Sequence, residues 1–69
     1  MEHALVNFRA EWDDEAGVWY VAEASYPGLT TEAPTLDALV KRVREALHEL
    51  REVNEEPEVV SELEMRLAA

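Results

Sequence analysis

Cysteine is absent from this chain, which removes disulfides, thiolate nucleophiles and cysteine zinc sites together. Packing or self-association must supply the stability instead. Glycine occurs only at Gly17 and Gly28, too sparsely for a glycine-rich loop that cradles phosphate. Basic residues are scarce as well: six Lys and Arg stand against sixteen Asp and Glu, for a formal net charge of −10. Such a surface repels phosphate backbones instead of displacing their counterions, so direct nucleic-acid binding is not expected. No run reaches the roughly 18 consecutive apolar residues of a membrane span. The stretch from Met1 to Arg9 lacks a basic region followed by an apolar one, and a cytoplasmic location is expected.

What is present is periodic. Apolar residues make up 48% of the 69 positions and are spread through patterned segments, which suits one folded domain over residues 1–69. From His3 to Trp12 the apolar side chains Ala4, Val6, Phe8, Ala10 and Trp12 alternate with Asn7, Arg9 and Glu11, the period of a strand. Asp13 to Gly17 is rich in turn formers, and Gly17 can take the positive φ of a bulged hairpin turn. A second strand is predicted over Val18 to Ser25, with Trp19, Val21 and Glu23 on one parity and Val18, Tyr20, Ala22 and Ala24 on the other.

Tyr26-Pro27-Gly28 ends that strand, because proline lacks a ladder donor. A short third strand is predicted over Leu29 to Ala33. Pro34 disfavours helix in the residue before it, Thr35 offers a hydroxyl to the first turn, and Asp37 suits the helix dipole. Leu36, Leu39, Val40, Val43, Leu47, Leu50 and Val53 then recur at spacings of three and four, forming an apolar helical stripe about five turns long. Asp37/Lys41 and Lys41/Glu45 stand at pairing distance on the polar side. Asn54 and Pro57 stop the helix, and Val59, Leu63, Met65 and Leu67 alternate with Val60, Glu62, Glu64 and Arg66 in a last strand.

The order β-β-β-α-β implies an α+β fold: a four-stranded, mainly antiparallel sheet, one helix on one face, and a crossover returning the last strand parallel to its neighbour. A single apolar stripe covers a single sheet face. The other face, expected to carry Leu5, Tyr20, Ala22 and Ala24, needs a second copy or another protein. Tyr20 is the preferred interface residue, with Arg9 and Glu11 beside it.

The run R-A-E-W-D-D-E-A-G-V-W from Arg9 to Trp19, followed by Tyr26-Pro27-Gly28-Leu29-Thr30-Thr31-Glu32-Ala33 and Thr35-Leu36, resembles the small HicB-like proteins of bacteria and archaea. That resemblance implies a truncated RNase H-like sheet with the same element order. It also implies an antitoxin role, in which the domain binds and blocks a small basic RNA-cleaving toxin of the HicA type. An acidic domain suits such a partner, because complementary fields speed encounter and select partners. The DNA-binding segment that commonly follows the domain in those relatives has no counterpart here, so autoregulation is not expected.

Catalytic readings are weaker. A two-metal nuclease needs several carboxylates converging at the sheet centre. The first strand's middle holds Phe8, Arg9 and Ala10, whereas Asp13 and Asp14 sit near a hairpin tip and Glu45 and Glu49 on the helix's polar side. Asp13 and Asp14 read as turn formers. His3 and His48 read as solvated surface, without a supporting carboxylate, and Ser25 and Ser61 lack a nucleophile-elbow context. Trp12 and Trp19 are expected to pair across the hairpin and pack under the helix. Sequence therefore predicts a non-enzymatic, homo-oligomeric binding module without cofactor or metal. The alternative is a stand-alone structural or regulatory homo-oligomer with no toxin.

Overall fold

The computed structural model describes residues 3–57 and 60–67. Its elements are β1 (His3–Asp13), β2 (Val18–Ala24), β3 (Glu32–Ala33), α1 (Leu36–Val53) and β4 (Val60–Leu67). They form a four-stranded mixed sheet in the order β3-β2-β1-β4. β1 pairs antiparallel with β2 and parallel with β4, and β2 pairs antiparallel with β3. The fold is the α+β arrangement with one helix that the periodicities predict. The start of the last strand at Val59 lies outside the described residues.

One core joins helix to sheet. Val6, Phe8 and Ala10 of β1, Val21 of β2, Leu29, Ala33, and Leu39, Val43 and Leu47 of α1 are buried together. Phe8 is fully buried, a burial that stabilises by about 1.5–3 kcal/mol relative to exposure. The helical stripe ends a turn early, because Val53 is 79% exposed. At the N-terminus the Thr35 Oγ1 accepts from the Ala38 amide at 3.1 Å, a cap that stabilises by about 1 kcal/mol.

The helix ends in a Schellman turn. The Glu56 amide donates to the Arg51 carbonyl at 2.9 Å and the Glu55 amide to the Glu52 carbonyl at 3.1 Å, and Glu55 takes the left-handed conformation at φ 55. Glycine is the usual occupant of that position. Among the helix's described residues His48 Nε2 lies 3.1 Å from Glu52 Oε1, and neither Asp37/Lys41 nor Lys41/Glu45 forms an ion pair. Arg42, Arg44 and Arg51 instead reach off the helix, to the Glu32 carbonyl, the Ser61 carbonyl and the Ser61 hydroxyl.

Two strand readings are corrected. β3 is two residues long rather than spanning Leu29 to Ala33, because Gly28 at φ 83 turns the chain out of the ladder. The Leu29 amide closes that turn onto the Tyr26 carbonyl at 3.3 Å, yet its side chain plugs the core. In β2 the pairing shifts between Arg9 and Ala10: Ala10 faces Val21, but Arg9 faces Glu23. Ala22 is thus an extra residue, a β-bulge, and the parity of everything beyond it reverses. Ala24 pairs with Phe8 and packs against the core, not on the outer face, while Glu23 moves outward.

Candidate functional site

The helix lies on one side of the sheet, and among the described residues no element covers the other. Strand alternation puts Leu5, Asn7, Arg9 and Glu11 of β1 on that open face. Their neighbours across the ladders are Tyr20 and Glu23 of β2 and Glu62, Glu64 and Arg66 of β4. Glu32 joins them as the partner of Tyr20. Five carboxylates (Glu11, Glu23, Glu32, Glu62, Glu64) thus face two guanidinium groups (Arg9, Arg66), an excess of three negative charges. The face is more polar than a buried apolar layer would be.

Arg9 organises its centre. Its Nη1 donates to Glu23 Oε2 at 3.0 Å and its Nη2 to Glu11 Oε2 at 3.1 Å. Its Nε is buried without a partner among the described residues. The bulge makes this arrangement possible, since a regular ladder would have set Ala22 opposite Arg9. Both pairs are partly exposed, so their strength is modest. Their effect is to hold Glu11 and Glu23 around one cation, beside Tyr20.

Of the residues singled out from sequence, Arg9, Glu11 and Tyr20 are brought together: Glu11 is the ladder partner of Tyr20 and an ion-pair partner of Arg9. Ala22 sits in the bulge next to them, half-buried. Leu5 shares the face but stands four positions along β1 from Arg9, about 13 Å away, and is 59% exposed beside Glu62.

Sequence reasoning missed Glu23 and Tyr26. Glu23 shares the parity of Trp19 and Val21, and only the bulge moves it outward. Tyr26 was visible merely as part of a turn. Its hydroxyl hydrogen-bonds the Glu56 carboxylate and accepts from Asn54 Nδ2 at 3.3 Å, and Arg51 lies 5.3 Å from its ring centroid. It ties the β2–β3 loop to the end of α1, a long-range contact for which periodicity carries no signal.

The tryptophans do pair across the hairpin, with ring centroids 5.5 Å apart and planes inclined at 59°. Only Trp19 packs against the core. Trp12 is 46% exposed. With Trp19, Pro34, Thr35, Leu36 and Asp37 it lines a groove of about 620 Å³.

Asp13 and Asp14 are engaged at the turn. Asp13 Oδ1 accepts from the Glu15 and Ala16 amides at 3.0 and 3.2 Å, and Asp14 Oδ1 from Trp12 Nε1 at 3.3 Å. Among the described residues no group of three or more His, Asp or Glu side chains is arranged to hold a metal ion. His48 has a carboxylate partner, Glu52, that the sequence reading did not foresee; the His3 side chain lies outside what is described. Ser25 Oγ accepts from the Asn7 amide at 3.0 Å, closing the β1–β2 ladder. No described helix is long and apolar enough to cross a membrane.

Comparison with known proteins adds three findings. Residues 5–69 match the model of a family described as a domain of unknown function, DUF1902. The chain is similar to a solved structure, the hypothetical protein TTHA1013 from the extremely thermophilic bacterium Thermus thermophilus. Identity is 37%, the match covers 96% of this chain and 94% of that one, and the TM-score is 0.77. No curated protein matches.

Proposed function

This chain belongs to the DUF1902 family, and from that premise we propose that it is a protein-binding module of the HicB-like, antitoxin type. In this reading it neutralises a small basic RNA-cleaving toxin by direct contact. The observation that carries the reading is the helix-free sheet face, where Tyr20 stands beside Glu11, Glu23 and Glu32. An aromatic side chain with acidic neighbours is a suitable anchor for a basic surface, because tyrosine is favoured at interface centres and the surrounding charge steers encounter. The resemblance of the Arg9–Trp19 and Tyr26–Leu36 stretches to HicB-like proteins supplies the toxin class.

The test mixes the purified chain with a small basic RNA-cleaving toxin of the HicA type and follows RNA cleavage together with calorimetric binding. Cleavage is expected to stop at stoichiometric ratio. Affinity is expected to fall as salt rises. Tyr20→Glu is expected to weaken binding about tenfold or more, the scale of a lost central anchor. Undiminished cleavage, with no heat of binding at low salt, overturns the reading.

A further inference from the structure

Among the described residues β4 is an edge strand with β1 as its one neighbour. Edge strands carry a row of unpaired backbone donors and acceptors, and proteins blunt them by shortness, charge or cover. β3 at the opposite edge is two residues long, whereas β4 runs for eight. Arg44 Nη1 occupies the Ser61 carbonyl at 3.2 Å, which blunts the start of β4 and leaves the stretch from Leu63 to Leu67. On its helix side Leu63 and Met65 are only half-buried and Leu67 is 53% exposed. Its other side carries Glu62, Glu64 and Arg66.

These charges decide which pairings the edge accepts. Two identical strands related by a two-fold axis pair antiparallel, and directly opposite residues then share a face. With the axis at Leu63, Glu62 meets Glu64 of the second copy twice. With the axis at Glu64, that carboxylate meets itself at the centre, a repulsion set against two Glu62–Arg66 pairs, and with the axis at Arg66 two guanidinium groups meet. Like charges directly opposite are destabilising. With the axis at Met65 every conflict disappears: Glu64 meets Arg66 of the second copy and the reverse, Leu63 meets Leu67 twice, and Met65 meets itself.

We infer that β4 is a self-association edge that takes a second copy of this chain, antiparallel, with the two-fold axis at Met65. Of these registers it makes opposite-charge pairs without placing like charges opposite one another. The product is a sheet of eight strands with both helices on one side. The leucines at the end of β4 gain cover, and the two acidic faces around Tyr20 stay open in one continuous surface.

The inference stands apart from the toxin reading, because its test contains only this chain. Sedimentation equilibrium of the full chain is expected to give a dimer. Glu64→Arg and Arg66→Glu, each at an exposed position, put like charges opposite one another. Each alone is expected to raise the dissociation constant about tenfold or more, because both Glu64–Arg66 pairs become like-charge pairs. An equimolar mixture of the two variants restores both opposite-charge pairs and is expected to form a heterodimer. Since the chain has no cysteine, Met65→Cys supplies an independent readout. Opposed residues on antiparallel strands stand about 4.5–5.5 Å apart at Cα, within disulfide reach. Mild oxidation is expected to cross-link Met65→Cys and not Leu63→Cys. A monomeric wild type overturns the inference, as does a mixture that fails to associate or a cross-link obtained from Leu5→Cys but not from Met65→Cys.

Discussion

Replacing Glu55 by glycine is expected to stabilise the protein although it removes a side chain and adds no contact. Glu55 holds φ 55 at the helix C-terminus, where an L-residue's Cβ crowds the following carbonyl at about 1–2 kcal/mol. Glycine avoids that crowding but loses more unfolded-state freedom, at about 0.5–1 kcal/mol. The difference leaves a gain of about 0.5–1 kcal/mol, which corresponds to about 2–8 °C in melting temperature for a domain of this size. The hydrogen bonds of the turn, Glu56 amide to Arg51 and Glu55 amide to Glu52, are made by backbone and survive the change. Removing a carboxylate near the helix C-terminus also relieves an unfavourable dipole interaction, so Glu55→Ala is the necessary control. It deletes the charge while keeping a Cβ at positive φ. Thermal unfolding followed by circular dichroism should rank glycine above alanine by most of the gain. If alanine equals glycine, the effect belongs to charge, and the backbone reasoning fails.

The other stability predictions concern the core and the loop tie. Phe8→Ala removes the ring at the fully buried centre of β1 and is expected to cost about 3–5 kcal/mol. A chain of this length has only about 3–10 kcal/mol in total, so urea denaturation should find the unfolding free energy reduced by roughly a third or more; a loss under about 1.5 kcal/mol, the scale of a volume-conserving swap, would mean that Phe8 is not the centre of the core. Tyr26→Phe keeps the ring under Arg51 but loses the hydroxyl shared with Glu56 and Asn54. Its expected cost is about 0.5–1 kcal/mol, the low end for a hydrogen bond open to water. An unchanged denaturation midpoint would show that the Tyr26 hydroxyl adds nothing to the hold on the β2–β3 loop.

The elements themselves were legible in the residues. Alternation from Ala4 to Trp12, the turn formers from Asp13 to Gly17, and the stripe from Leu36 to Leu50 report local geometry, since a strand repeats every second residue and a helix every 3.6. A sheet face without a covering element among the described residues was legible too, because one apolar stripe covers one side. Which residues occupy that face was decided elsewhere. The extra residue at Ala22 sends Glu23 outward to Arg9 and Ala24 inward to Phe8, and no pattern within β2 announces it. Leu29 is buried without belonging to a strand, and Trp12 is exposed despite its apolar parity, because burial depends on what packs over a residue and not on its parity. Local periodicity is written in neighbouring residues. Register, cover and the meeting of Tyr26 with Arg51 are set by hydrogen bonds and contacts between segments far apart in the chain, and those come into being only when the whole sheet is assembled.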